Sequence, residues 1–152
     1  MRKLLPFILI SLLWACNEKP FFKEIVEMPE ESWNHDDTIK FKVMVEDIES
    51  TYDLHLDINH EDYYPYQNLY LKIITAFPGG KRTQEQISIE LAEKSGKWSG
   101  KCRRGQCRIK VYLLESFYFP EKGEYKFIVA QHTREEELEG INQMGLSLFK
   151  RN

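Results

Sequence analysis

The sequence predicts an all-β chain folded as an antiparallel β-sandwich, of jelly-roll or Greek-key kind, with about eight strands. Apolar residues recur at every second position through most of the chain, the mark of strands with one face on a core and one toward water. Turn residues cluster at the breaks: Pro78-Gly79-Gly80, Ser95-Gly96, Arg104-Gly105 and Pro120 to Gly123. No long helical period and no alternation of strands with helices occurs, which argues against a parallel sheet. The length of 152 residues suits one domain, and 13 % aromatic residues among 30 % charged ones exclude wholesale disorder. With 24 acidic against 21 basic residues, the net charge of −3 excludes a dedicated nucleic-acid binder.

The first element differs in kind from the rest. Met1-Arg2-Lys3 is positive, Leu4 to Leu13 is apolar except for Pro6 and Ser11, and Asn17-Glu18-Lys19-Pro20 turns abruptly polar. As a helix, Leu4 to Leu13 would rise only ~15 Å, about half a bilayer's hydrocarbon core, so a signal peptide is expected rather than a membrane span. Leu13-Trp14-Ala15-Cys16 resembles the lipobox of bacterial lipoproteins, in which the cysteine is lipidated and becomes the new N-terminus. The alternative is an ordinary secretory signal that ends by chance at a cysteine. Residues 1–15 are therefore expected to be a lipoprotein signal peptide, 16–24 a lipidated tether and 25–152 a single β-sandwich domain. Cleavage removes Arg2 and Lys3, leaving 19 basic against 24 acidic residues and a net charge of −5.

The strands follow in order. Thr38 to Glu46 places Ile39, Phe41, Val43 and Val45 on one face. Tyr52, Leu54, Leu56 and Ile58 are expected inward, with Asp53, His55 and Asp57 outward. Asn68 to Phe77 is apolar on both faces and belongs centrally or under a loop. Ile87 to Leu91, Arg108 to Leu113 and Tyr125 to Ala130 alternate again. Weaker candidates open and close the chain at Lys23 to Met28 and Gly145 to Lys150. Thr133 to Leu138 is the one stretch that reads as a helical turn, ended by Gly140. Phe41, Leu56, Ile73, Val111 and Phe127 are expected to be buried.

Catalytic constellations are sparse. His55, Asp57 and Asp53 share one strand face and His60-Glu61-Asp62 follows, a set that offers imidazole and carboxylate to a metal or is simply a solvated face. No metal-binding, nucleophile-elbow or cofactor motif is present. No catalytic residue, metal or cofactor is assigned. Lys97, Lys101, Arg103, Arg104, Arg108 and Lys110 gather within fourteen positions, either a patch for an acidic partner or anionic lipid or a solvated hairpin tip. Tyr63-Tyr64-Pro65-Tyr66 offers loop aromatics that stack on sugars, bury at an interface or fold back as a lid. With Cys16 lipidated, Cys102 and Cys107 remain as an even pair in an exported protein, a disulfide across an expected four-residue loop from Arg103 to Gln106, or two free thiols.

Over nearly its whole length the chain resembles the gliding-motility lipoprotein GldH family of the Bacteroidetes. The resemblance rests on Trp33-Asn34, Tyr52-Asp53-Leu54, Ile58-Asn59, Tyr64 to Leu71 and Phe77-Pro78-Gly79-Gly80. It continues through Glu90-Leu91-Ala92, Gly96 to Gly100, Phe119-Pro120 and Gly123 to Phe127, and ends on Gln131-His132-Thr133-Arg134, Leu138 to Ile141 and Gly145-Leu146. The family pattern has a glycine-rich turn without cysteines where this chain has Cys102 to Cys107, so no role carries over to that pair. The resemblance implies a non-enzymatic lipoprotein of the cell envelope, anchored through Cys16 at the periplasmic face of the outer membrane. It implies an accessory of gliding motility and the associated secretion machinery, with other envelope proteins as partners. A carbohydrate-binding envelope lipoprotein is the alternative function.

Overall fold

The structure, a computed structural model, describes residues 19–29 and 32–151. The signal segment and Cys16 lie outside the described residues. Among the described residues no α-helix occurs, and the strands are β1 Phe22–Glu27, β2 Ser32–Asn34, β3 Thr38–Val45, β4 Thr51–Glu61, β5 Asn68–Ala76 and β6 Arg82–Glu90. They continue with β7 Lys101–Arg103, β8 Gln106–Phe117, β9 Gly123–Gln131, β10 Glu137–Glu139 and β11 Ile141–Arg151.

Two sheets face each other, ordered β1-β11-β4-β8-β7 and β3-β9-β5-β6, with a small β10-β2 ribbon beside them. The pairings between these strands are antiparallel. Setting aside the three-residue strands β2, β7 and β10, the first long strand pairs with the last, the second with the seventh, the third with the sixth and the fourth with the fifth. That nesting is a long hairpin rolled over itself, a jelly roll. The core lies between the sheets. Ile39, Phe41, Val43 and Val45 of β3 are buried while Lys40, Lys42 and Met44 are exposed, as period two demands. Leu54, Leu56 and Ile58 of β4 meet Leu148, Leu146 and Met144 of β11 across the ladder, all but sealed from solvent. Fully burying such a side chain contributes about 1.5–3 kcal/mol.

Several expectations need correction. Phe41, Leu56 and Phe127 are buried, but Ile73 and Val111 are only half-buried. Ile73 lines a cleft of about 460 Å³ between the sheets, on the side of β6 and β8. β8 is covered by β7 only from Gln106 to Arg108, so beyond that point it is an edge strand and Val111 is left partly open. The outward face of β4 is not solvated: Asp53 and His55 are buried because β4 lies between β11 and β8 and long side chains fold over it. β1 starts at Phe22, so residues 22–24, expected to belong to the tether, pair with Leu148 to Leu146. Thr133 to Leu138 forms no helical turn. Gln131 Nε2 donates to the carbonyls of Trp33 (3.0 Å) and Glu135 (3.1 Å), and Leu138 then sits opposite Trp33 in the ribbon. Both Leu138 and Trp33 are 1 % exposed, and sealing the indole favours strand over helix here.

Candidate functional site

The outer face of the five-stranded sheet collects most of the polar candidates. Alternate residues of β4 project onto it, and the register sets their neighbours. Asp57 lies between Gly145 and Lys110, and Asn59 between Gln143 and Arg108. Lys101 extends the second row and Ile25 the first.

His55 stands in this face with its ring centroid 4.3 Å from Tyr112 and 4.9 Å from Phe149. Both ring nitrogens are buried without a hydrogen-bond partner. Burial, and secondarily the Lys110 charge, push its pKa below the ordinary imidazole value, so the ring is neutral at pH 7. Burial works against ionisation of Asp53, but the Ser116 amide (2.8 Å) and the Arg151 guanidinium (2.5 Å) outweigh it and hold the carboxyl below its usual range. Asp57 accepts a hydrogen bond of 2.6 Å from Ser147 Oγ. Beside them runs a ladder of amides. Gln143 donates to Glu27 (3.2 Å), Asn59 donates to Gln143 (3.5 Å) and Gln106 (3.4 Å), and Gln106 donates to Glu61 (3.2 Å), which also accepts from Asn142.

His60 does not join this set. It lies on the other side of β4, fully buried, with its ring 4.6 Å from Trp98 and 5.8 Å from Tyr64. Burial lowers its pKa, partly opposed by the hydrogen bond between Nδ1 and the Glu61 carbonyl. The metal set offered by His55, His60 and the neighbouring carboxylates is thus divided between two faces. Among the described residues no group of three or more His, Cys, Asp or Glu side chains converges.

The basic residues do converge. Lys101, Arg103, Arg104, Arg108 and Lys110, joined by Lys23 from β1, line a groove of about 1020 Å³ on the outer face. Lys97 lies outside its lining. β7 and β8 form the hairpin that makes one side of the groove. Arg103 pairs directly with Gln106, so the loop is the two-residue turn Arg104-Gly105 rather than four residues. Both turn residues have positive φ, 54° and 85°, the geometry that matches strand twist in a tight hairpin. Cys102 and Cys107 face each other below it, their Cα atoms 4.0 Å apart and their sulfurs bonded.

The tyrosine loop divides. Tyr64 folds back as a lid: it is 3 % exposed and packs against Gly140, whose φ of +84° lets the chain pass beneath the ring. Tyr63 and Tyr66 stay exposed, and the Tyr66 hydroxyl donates to Glu135 at 2.7 Å. Lys23, Asn59, Gln106 and Gln143 escaped the sequence reading. They come from four strands, and none belongs to a local motif for binding, although Asn59 falls in one of the strings that carry the family resemblance.

The family model described as GldH lipoprotein matches residues 20–148. The chain is 28 % identical over 148 residues to a gliding motility lipoprotein GldH homolog of Christiangramia forsetii, covering 93 % of this chain and 90 % of that protein. It is 27 % identical over 148 residues to the gliding motility lipoprotein GldH of Flavobacterium johnsoniae, covering 93 % and 91 %. Among solved structures, tripeptidyl peptidase 2 overlaps with a TM-score of 0.45 at 9 % identity, covering 89 % of this chain and 10 % of that one.

Proposed function

The chain belongs to the GldH lipoprotein family, and from that premise we propose that it works as a non-catalytic accessory of the gliding machinery and its associated secretion apparatus. It is a homologue of the gliding motility lipoprotein GldH, a lipoprotein component of the motility machinery, and so is membrane-anchored in the envelope. The observation that carries the proposal is the family match across residues 20–148, which spans the sandwich except for the end of its last strand. On this reading residues 1–15 are removed, Cys16 carries the acyl chains, and the anchor sits at the periplasmic face of the outer membrane. From Cys16 to the first paired residue, Phe22, an extended chain reaches at most ~20 Å, so the domain works close to the lipid surface.

A role without turnover is supported by the separation of the histidines. His55 is stacked between aromatic rings, neutral and without polar partners, and His60 is sealed under Trp98. Neither is placed to exchange a proton with a substrate. The protein then acts through contacts with other envelope proteins. Deleting the gene from a gliding host should abolish spreading and reduce export of surface proteins. Complementation with the wild-type chain should restore both, and with Cys16→Ser should not. Normal spreading and export in the deletion strain would overturn the proposal.

A further inference from the structure

We infer that the groove on the outer face of the five-stranded sheet binds an acidic saccharide, one that carries carboxylate or phosphate groups along its chain. Three features carry this: unspent charge, recessed shape and the chemistry of the floor.

Six of the chain's 21 basic residues line the groove, in a protein whose acids outnumber its bases. Among the described residues none of the six lies within ion-pair distance of a carboxylate. The single acid of the lining, Asp57, is already bonded to Ser147. Of the six, Lys110 lies over the Phe149 ring at 5.1 Å, a contact that leaves its charge uncompensated by any carboxylate. Like charges lining a recess focus their field into it and draw in counter-charge.

The recess is built rather than incidental. Gly145, itself buried, lies beneath its neighbours' side chains: a Cβ there would stand 3.1 Å from Ile25 and 3.3 Å from Asp57, so the floor admits no side chain at that point. On the hairpin side, Gly100 lies against the Arg108 carbonyl so closely that a Cβ would come within 2.3 Å of its oxygen. The Cys102–Cys107 bond holds the arginine-bearing tip in place.

The floor distinguishes among anions. Asn59 is buried beneath Gln106 and Gln143 and donates to both, at 3.4 and 3.5 Å; each glutamine also donates to a glutamate, Glu61 or Glu27, and keeps one amide N–H to offer a hydroxyl group. Sugar hydroxyls suit that floor, while carboxylates or phosphates suit the cationic rim. An extended peptide would seek main-chain partners, and over the face of a sheet these are already paired. A flat bilayer does not enter a recess. The arginine tip also lies at the Glu61 end of β4, about 30 Å from the Tyr52 end where the chain enters at Phe22. The groove therefore runs from Lys23, one residue past that entry, to the arginine tip at the far end of the sheet.

The test is calorimetric titration of the full lipoprotein in a non-ionic detergent. The probes are a galacturonate hexamer and mannopentaose phosphate, with a galactose hexamer and octaglutamate beside them. Both acidic saccharides should bind, losing about tenfold in affinity between about 50 and 300 mM salt, and the neutral hexamer should not. Arg103→Glu with Arg108→Glu, both exposed positions, should weaken the acidic saccharides about tenfold or more at an unchanged unfolding temperature. Gln106→Ala should weaken them about threefold without changing charge. Octaglutamate binding as tightly as the saccharides would overturn the saccharide assignment in favour of an acidic peptide. Absence of binding, or indifference to the charge reversal, would overturn the groove altogether.

Discussion

Phe127 lies on β9 with Phe41 beside it on β3 and Thr75 on β5, sealed between the sheets. Phe127→Ala leaves a cavity that the rigid ladders on either side cannot close, and should cost about 3–5 kcal/mol in urea unfolding. Val111→Ala, on the open stretch of β8, should cost clearly less. His55 has the opposite sign. Its ring is packed between Tyr112 and Phe149 and its nitrogens have no partners, so His55→Phe keeps the packing and removes a buried polar cost. The variant should be more stable by about 1 kcal/mol. The same histidines set the pH response. Burial lowers the folded pKa of both His55 and His60 below the unfolded value near 6.5, so the unfolded chain takes up the protons first. Their stabilisation is complete above about pH 6.5 and is lost as pH falls through the depressed values. The urea midpoint should be level from pH 8 to 7 and decline between about pH 6.5 and 5, less steeply in His55→Phe. Asp47, which precedes β4 and is held below the ordinary carboxylate range by Lys150 (2.7 Å) and Ser50 (2.8 Å), and Asp53 withdraw their share only below about pH 4.

The strands that the sequence makes legible are those whose residue types alternate. β3 announces itself by strict alternation because every second side chain enters the core, while β4 and β9 alternate in residue chemistry although both faces of β4 are covered. The missed elements fail for a physical reason. β2, β7 and β10 are three residues each, too short to show a period. The first five residues of β6, Arg82 to Gln86, are exposed on both faces of an edge strand, so nothing there alternates. The hairpin of β7 and β8 carries the cysteine pair, and its register sets Cys102 directly opposite Cys107, the arrangement on which the proposed disulfide rests. Alkylating the native protein without reductant should add no groups at Cys102 or Cys107; two added groups would refute the bond. The loop it closes is short, so replacing both cysteines with serine should cost no more than about 2 kcal/mol.

At the scale of the molecule, the anchor and the sandwich are separable. The strands and the core described lie between Phe22 and Arg151, so a chain beginning at Lys19 should fold and stay in solution. Cys16→Ser in the full chain should move the protein from the membrane to the soluble fraction or leave it unprocessed, since lipid chains supply the binding. A variant that is processed and stays membrane-bound would refute attachment at Cys16.

By itself the sequence determined that the chain is all-β and which face of each central strand meets the core. These are local properties, set by neighbouring residues along one segment. Tertiary structure alone decided that the sandwich is a jelly roll, that Tyr64 closes over the core and that six cations share one groove. The amide ladder on its floor joins Asn59 to a residue 84 positions away, and Gln143 to one 116 away. Period two says which residues share a face, but strand order says whose faces adjoin. That order is settled by sealing the two sheets against each other, and no segment carries it alone.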